Sequence, residues 1–225
     1  RLIICWCAVR LREGAPNIMN IFPLFSVPLS ISKINLSNLD IKAIESIPVK
    51  RRESDNCYLS DNIRILESNN LNTLKNNITK ELNTYFYEVL GISKTIGLNI
   101  TNSWKIVHKL GDWAPKHKHY NSIVSGILYI DVFYDSGDII FYCDNRKSVL
   151  NNGLLEFPFE VTQYNYTTWE LKPENNMLIL FPSFLEHSVT KSTNTNNRIC
   201  ISFDTFISGT VGNDILNKLK INSPA

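Results

Sequence analysis

The apolar positions of this chain change their rhythm at Gly91, from helical spacing before it to strand-like runs after it. Leu71, Leu74, Ile78, Leu82, Phe86 and Leu90 recur every three or four residues, which predicts a helix over 70–90 that Gly91 terminates. A shorter helix is predicted over 37–47, with Ser37 as its N-cap and Leu39, Ile41, Ile44 and Ile47 on one face. Upstream, IFPLFSVPLSISKIN (21–35) has a β-like pattern interrupted by prolines, the mark of an edge strand or extended arm. Residues 48–60 are polar and charged and read as a surface loop.

Beyond Gly91, runs rich in Ile, Val, Phe, Tyr and Thr alternate with Gly, Asn, Asp and Pro. Strands are predicted at 103–110, 123–133, 138–143, 154–162, 166–171, 177–181, 186–190 and 198–207. Short strands in such succession, with no helix between them, form an antiparallel sandwich or jelly roll. The expected fold class is therefore mainly β (α+β): a double-stranded β-helix, or jelly roll, backed by N-terminal helices. Its expected organisation is one domain over 19–225, with helical support at 36–91 and the jelly-roll core at 100–207. The first methionine is Met19, and the apolar opening RLIICWCAV is too short to span a bilayer and lacks a signal-cleavage pattern. Residues 1–18 are expected to be a leader outside the natural fold.

Composition narrows the function more than the fold. A formal charge of +2, with no Lys/Arg stripe, gives no nucleic-acid footprint. The densest basic run, Lys50-Arg51-Arg52, is followed at once by Glu53 and Asp55 and suits a solvated loop. Cys5, Cys7, Cys57, Cys143 and Cys200 are odd in number, scattered and free of any C-x-x-C pair. That argues against a disulfide framework or a cysteine zinc site, and for a reducing compartment. With no targeting signal read in the sequence, a cytoplasmic setting without membrane attachment is expected. Exposed jelly-roll edges leave room for a homodimer.

Three of the four histidines fall where a metal site could be assembled. His117 and His119 are two apart at the mouth of a predicted strand, so in extended backbone both imidazoles point to one side. His187 follows the apolar run MLILFP, and a jelly roll can bring it beside the first pair, leaving positions open at a metal. A lone histidine is ordinarily a surface or core residue; a convergent set of three is not. His108 alternates with Trp104, Ile106 and Leu110 and reads as a buried structural histidine. Arg198 opens the strand RICISFDTF, where a cation is costly unless an anion meets its planar fork.

The segments SWKIVHKLGDWAPKHKHYNSIVSGILYI (103–130), GDIIFYCDNR (137–146) and ENNMLILFPSFLEHSVTKSTNTNNRICISFDTF (174–206) resemble a family of iron(II)/2-oxoglutarate oxygenases common in marine bacteria and their phages. The resemblance implies a double-stranded β-helix, Fe(II) held by His117, His119 and His187, and Arg198 gripping the far carboxylate of 2-oxoglutarate. It also implies a hydrogen bond to the co-substrate from Tyr129, and hydroxylation of an unidentified substrate with release of succinate and carbon dioxide. The wider superfamily most often has an aspartate where His119 stands, a glycine at Asn176 and a serine at Cys200. Arg146 is a second candidate for the anchor. The substrate is expected to be a small molecule or a protein side chain, with QYNYTTW (163–169) as a candidate lining of its entrance.

Two other readings stay open on the residues alone. Gly111 with His117-x-His119, and Pro182 before His187, fit parts of a cupin pattern, an alternative three-histidine metalloenzyme that does not use 2-oxoglutarate. The cupin glutamate, due near Ile123 or Val124, is missing, and Arg198 has no cupin role. A non-catalytic jelly-roll binding module is the other alternative, and it gives no reason for three histidines and Arg198 to converge.

Overall fold

The computed structural model describes residues 26–142, 167–212 and 214–223. The expected leader 1–18, the strand expected at 154–162, Arg146 and the loop residues 163–166 lie outside them.

Among the described residues, twelve strands form two facing sheets. The major sheet contains β1 (Ser30–Lys33), β2 (Val49–Arg52), β3 (Cys57–Ser60), β4 (Gly97–His108), β6 (Val124–Asp131), β9 (Met177–Pro182) and β11 (Arg198–Val211), in the order β1-β9-β6-β11-β4-β3-β2. β12 (Leu219–Ile221) adds to the far end of β11. The minor sheet is β5 (Ala114–His117), β10 (His187–Val189), β7 (Ile139–Tyr142) and β8 (Thr168–Leu171), in the order β5-β10-β7-β8. Every strand pairing is antiparallel, as the predicted jelly roll requires.

Alternation along the central strands sorts two cores. Val124 and Leu128 of β6, Leu178 and Leu180 of β9, and Ile201 and Phe203 of β11 face the helices. Ile127 and Tyr129, Met177, Ile179 and Phe181, and Cys200 face the minor sheet. The period of two thus places Arg198, Cys200, Ser202 and Asp204 on the same inner wall as Tyr129.

Two helices cover the outer face. α1 (Asn38–Glu45) opens with a capping box, in which the Asp40 N–H donates to Ser37 Oγ and the Ser37 N–H donates to the Asp40 carboxylate. Its last carbonyls are met by a buried lysine, since Lys105 Nζ donates to Glu45 O at 2.9 Å and Ile47 O at 3.0 Å. Burial pushes the pKa of that ammonium down. α2 (Asn72–Asn83) buries Leu74, Ile78 and Leu82 completely. The predicted helix over 70–90 is therefore shorter as an α-helix. Its last part, Thr84–Val89, widens into a π-helical turn that keeps Tyr85 and Phe86 in the core.

Two expectations are corrected. Residues 48–60 form the β2–β3 hairpin, whose charged side chains belong to an edge strand rather than a loop. His117 ends a separate short strand, β5, paired with β10 and not with the strand that follows it in sequence.

Gly126 lies directly opposite Phe203, and a Cβ there would come within 2.1 Å of the phenyl ring. The ring fills the space that a side chain at 126 would need. Gly126→Ala is expected to cost about 1–3 kcal/mol by overpacking. Thermal unfolding checks this: at roughly 2–4 °C per kcal/mol for a domain of this size, a drop of several degrees is expected.

Candidate metal and co-substrate site

The three histidines come together at the mouth between the sheets. His187 and His117 are direct cross-strand partners in the minor sheet. His119, two residues past His117, has left that sheet, and its backbone N–H donates to Ser183 O at the end of β9. Ring centroids lie 4.3 Å apart for His117–His187, 5.1 Å for His119–His187 and 5.5 Å for His117–His119. One nitrogen from each ring can be chosen so that all three lie within 4.8 Å of one another.

Each ring is oriented through its other nitrogen. His117 Nδ1–H donates to Pro115 O at 2.7 Å, and His187 Nδ1–H donates to Leu185 O at 3.0 Å. Carbonyl oxygens only accept, so these bonds fix the tautomer and leave the Nε2 lone pairs free to ligate. His119 Nδ1 lies 2.6 Å from a carboxylate oxygen of Asp204, which leaves its Nε2 for the same centre. Desolvation, then the neighbouring His117, pushes the pKa of His187 down to about 3, and burial also lowers that of His117. Neutral imidazole is the form that binds a metal. His187 is buried, His119 partly so and His117 exposed, so the cluster opens to solvent on the His117 side.

Arg198 lies on the inner wall and is only 1% exposed. Its Nη1 donates to Gly137 O at 2.6 Å, and its Nη2 donates to His108 Nδ1 at 2.8 Å. Since guanidinium can only donate, His108 is neutral and carries its proton on Nε2. Desolvation, then the charge of Arg198, pushes the pKa of His108 down to about 2. His108 is thus buried as the sequence predicts, and it has a definite task in bracing the guanidinium. Gly137, at φ +102°, lets the chain pass close to that group, since a Cβ there would sit 3.3 Å from Nη1 and 2.7 Å from Thr190 O. The guanidinium carbon lies 5.8 Å from the centre of the buried Tyr129 ring.

Arg198 Nε and His108 Nε2 are buried without a partner, and Arg198 has no carboxylate partner among the described residues. A buried, half-satisfied cation is costly. A carboxylate brought by a co-substrate supplies what it lacks, so the residues fit 2-oxoglutarate as the three imidazoles fit iron(II).

Asp204 was not singled out from the sequence. Its signal was parity: an acid six residues beyond Arg198, on the same inward face of the strand.

A jelly roll that gathers three imidazoles and a buried arginine is an arrangement that fits a non-haem iron site. Residues 102–204 match the family model described as "Putative 2OG-Fe(II) oxygenase", a segment that contains all three histidines, Tyr129 and Arg198. Over that segment the chain is similar to the iron(II)/2-oxoglutarate-dependent oxygenases. That match favours the 2-oxoglutarate reading over the cupin and non-catalytic ones.

Solved structures share the fold. A 2OG-Fe(II) oxygenase-family oxidoreductase from Burkholderia pseudomallei is 10% identical, with TM-score 0.53 over 79% of this chain and 83% of that one. HygX from Streptomyces hygroscopicus, solved with nickel, 2-oxoglutarate and hygromycin B bound, is 8% identical, with TM-score 0.55 over 80% and 82%. The epimerase SnoN, in complex with Fe3+, alpha ketoglutarate and nogalamycin RO, is 9% identical, with TM-score 0.57 over 88% and 91%. No curated protein matches the sequence. No helix among the described residues is long and apolar enough to cross a membrane.

Proposed function

We propose that this oxygenase hydroxylates a small molecule, holding iron(II) through Nε2 of His117, His119 and His187 and the far carboxylate of 2-oxoglutarate on Arg198. The observation that carries this reading is the pairing of three pre-oriented imidazoles with a buried arginine that lacks an anion among the described residues. When bound, the iron and 2-oxoglutarate supply the oxidising power, with succinate and carbon dioxide as co-products. The chain's own residues bind, orient and shield. Arg198, braced by His108 and Gly137 O, fixes one end of the co-substrate. Tyr129, on the same wall, walls off the co-substrate and is the candidate for a further hydrogen bond to it. Phe141 and Phe181 pack against His187 at centroid distances of 5.9 and 4.9 Å and keep water from the buried side.

The open side suits an aromatic or sugar-like substrate face. Tyr120 and Phe184 are 75% and 61% exposed, and they adjoin His119 and Ser183, whose backbones are hydrogen-bonded. A protein side chain is the other substrate class that such an opening admits. Cys57 and Cys200 are both unpaired, in keeping with a cytoplasmic setting.

The test is anaerobic addition of iron(II), then 2-oxoglutarate, to the purified apoprotein. A weak visible charge-transfer band that needs both additions is expected. Iron binding with no band and no co-substrate affinity would refute the role given to Arg198.

A further inference from the structure

Three imidazoles leave a bound divalent ion with no negative charge among its protein ligands. Behind His119, however, stands a carboxylate. Asp204 Oδ1 accepts from His119 Nδ1–H at 2.6 Å and from Ser125 Oγ at 2.7 Å. Ser125 Oγ lies 2.8 Å from Ser183 Oγ, which donates to Ser122 Oγ at 2.7 Å. Ser125 and Ser183 are fully buried, so this hydroxyl chain is part of the wall between β6, β9 and β11. The Asp204 side chain is 14% exposed, and among the described residues its only ion-pair partner is His119. A carboxylate so enclosed, with no lysine or arginine paired to it among the described residues, is well placed to compensate a positive charge just beyond the His119 ring.

Resting on the metal reading above, we propose that Asp204 is a positioning residue that supplies through His119 the negative charge missing from the ligand set. It aims Nε2 of His119 at the metal and makes that imidazole a stronger donor, as a carboxylate behind a ligating histidine does. The compensating carboxylate stands on β11, behind a ligand rather than among the ligands. The chain thereby keeps a near-normal charge at the site while presenting three nitrogen ligands.

The test uses cobalt(II) as the metal, the full chain, and the variant Asp204→Asn, with apoprotein unfolding measured alongside. Cobalt(II) affinity, measured against a competing chelator, is expected to fall about 10–100-fold while the unfolding temperature of the apoprotein stays close to wild type. On cobalt-saturated protein, azide is expected to bind at least about fivefold more tightly, because one negative charge near the metal has been removed. Asp204→Glu, which keeps the charge, is expected to return azide affinity toward wild type. Asp204→Ser gives the same split should the amide variant not fold. A purely structural role would weaken cobalt and azide together, and that result overturns the proposal. Unchanged affinities for both also overturn it and leave the three-histidine site standing. A wild-type chain that takes up no cobalt overturns both.

Discussion

His187→Ala is expected to abolish stoichiometric iron(II) binding while the apoprotein still folds. The side chain is buried, and its Nδ1 is committed to Leu185 O. Only Nε2 is left, facing His117 across a centroid distance of 4.3 Å. Losing a hydrogen bond behind a ligand typically costs about 10–100-fold in metal affinity, and losing the ligand itself must cost more. Stability should respond in the opposite sense. The folded-state pKa of His187 is depressed to about 3, so folding favours its neutral form. That depressed basicity is a penalty growing as pH falls below the ordinary histidine value near 6.5 and complete only below about 3. Alanine removes the penalty, so the variant should tolerate mild acid better than wild type, offset by the cavity it leaves. Anaerobic titration with iron(II), with unfolding followed at pH 7 and pH 5, reads both effects. Wild-type iron stoichiometry in this variant would remove His187 from the ligand set.

Much of this site was legible because strand parity and a few costly residues speak directly. His117 and His119 share a side of an extended segment, and His187 ends an apolar strand. Arg198 begins a core strand where only an anion could justify it. What the sequence withheld was pairing. β5 is four residues long and carries Pro115 and Lys116, so no hydrophobic alternation announces it. The cross-strand contact between His117 and His187 joins positions far apart in the chain, and only the folded sheet reveals it. The β2–β3 hairpin was hidden for a related reason. Val49–Arg52 exposes almost every side chain at a sheet edge, and exposed edges favour the charges that elsewhere mark loops. The π-helical turn at Thr84–Val89 changes the hydrogen-bond step without changing the apolar spacing, so periodicity alone reads straight through it. Asp204 was missed because its partner is a metal-ligand candidate rather than a base, and no motif couples the two.

Arg198→Met is expected to weaken 2-oxoglutarate binding by roughly two to three orders of magnitude, the usual consequence of truncating one partner of a buried, hydrogen-bonded charge pair. Iron(II) binding should be spared, because the guanidinium bonds to Gly137 O and His108 and to none of the three metal-ligand candidates. The apoprotein supplies a second, independent sign. Wild type buries this cation with Nε unpartnered, no acid beside it among the described residues, and a histidine whose own charge it suppresses. Such a group destabilises the empty fold, and an apolar side chain of similar reach should leave the apoprotein as stable as wild type or more so. Added 2-oxoglutarate with iron(II) should then raise the unfolding temperature of wild type and leave that of the variant nearly unmoved, since only a ligand that binds the folded state can stabilise it. A residue kept for stability predicts the reverse order: a less stable apoprotein with unchanged co-substrate affinity. Arg198→Lys separates charge from shape. The ammonium keeps the positive charge but cannot bridge a carboxylate, Gly137 O and His108 in one plane, so it should recover only part of the lost affinity. If instead the methionine variant binds 2-oxoglutarate as wild type does, the anion that Arg198 awaits is not this co-substrate.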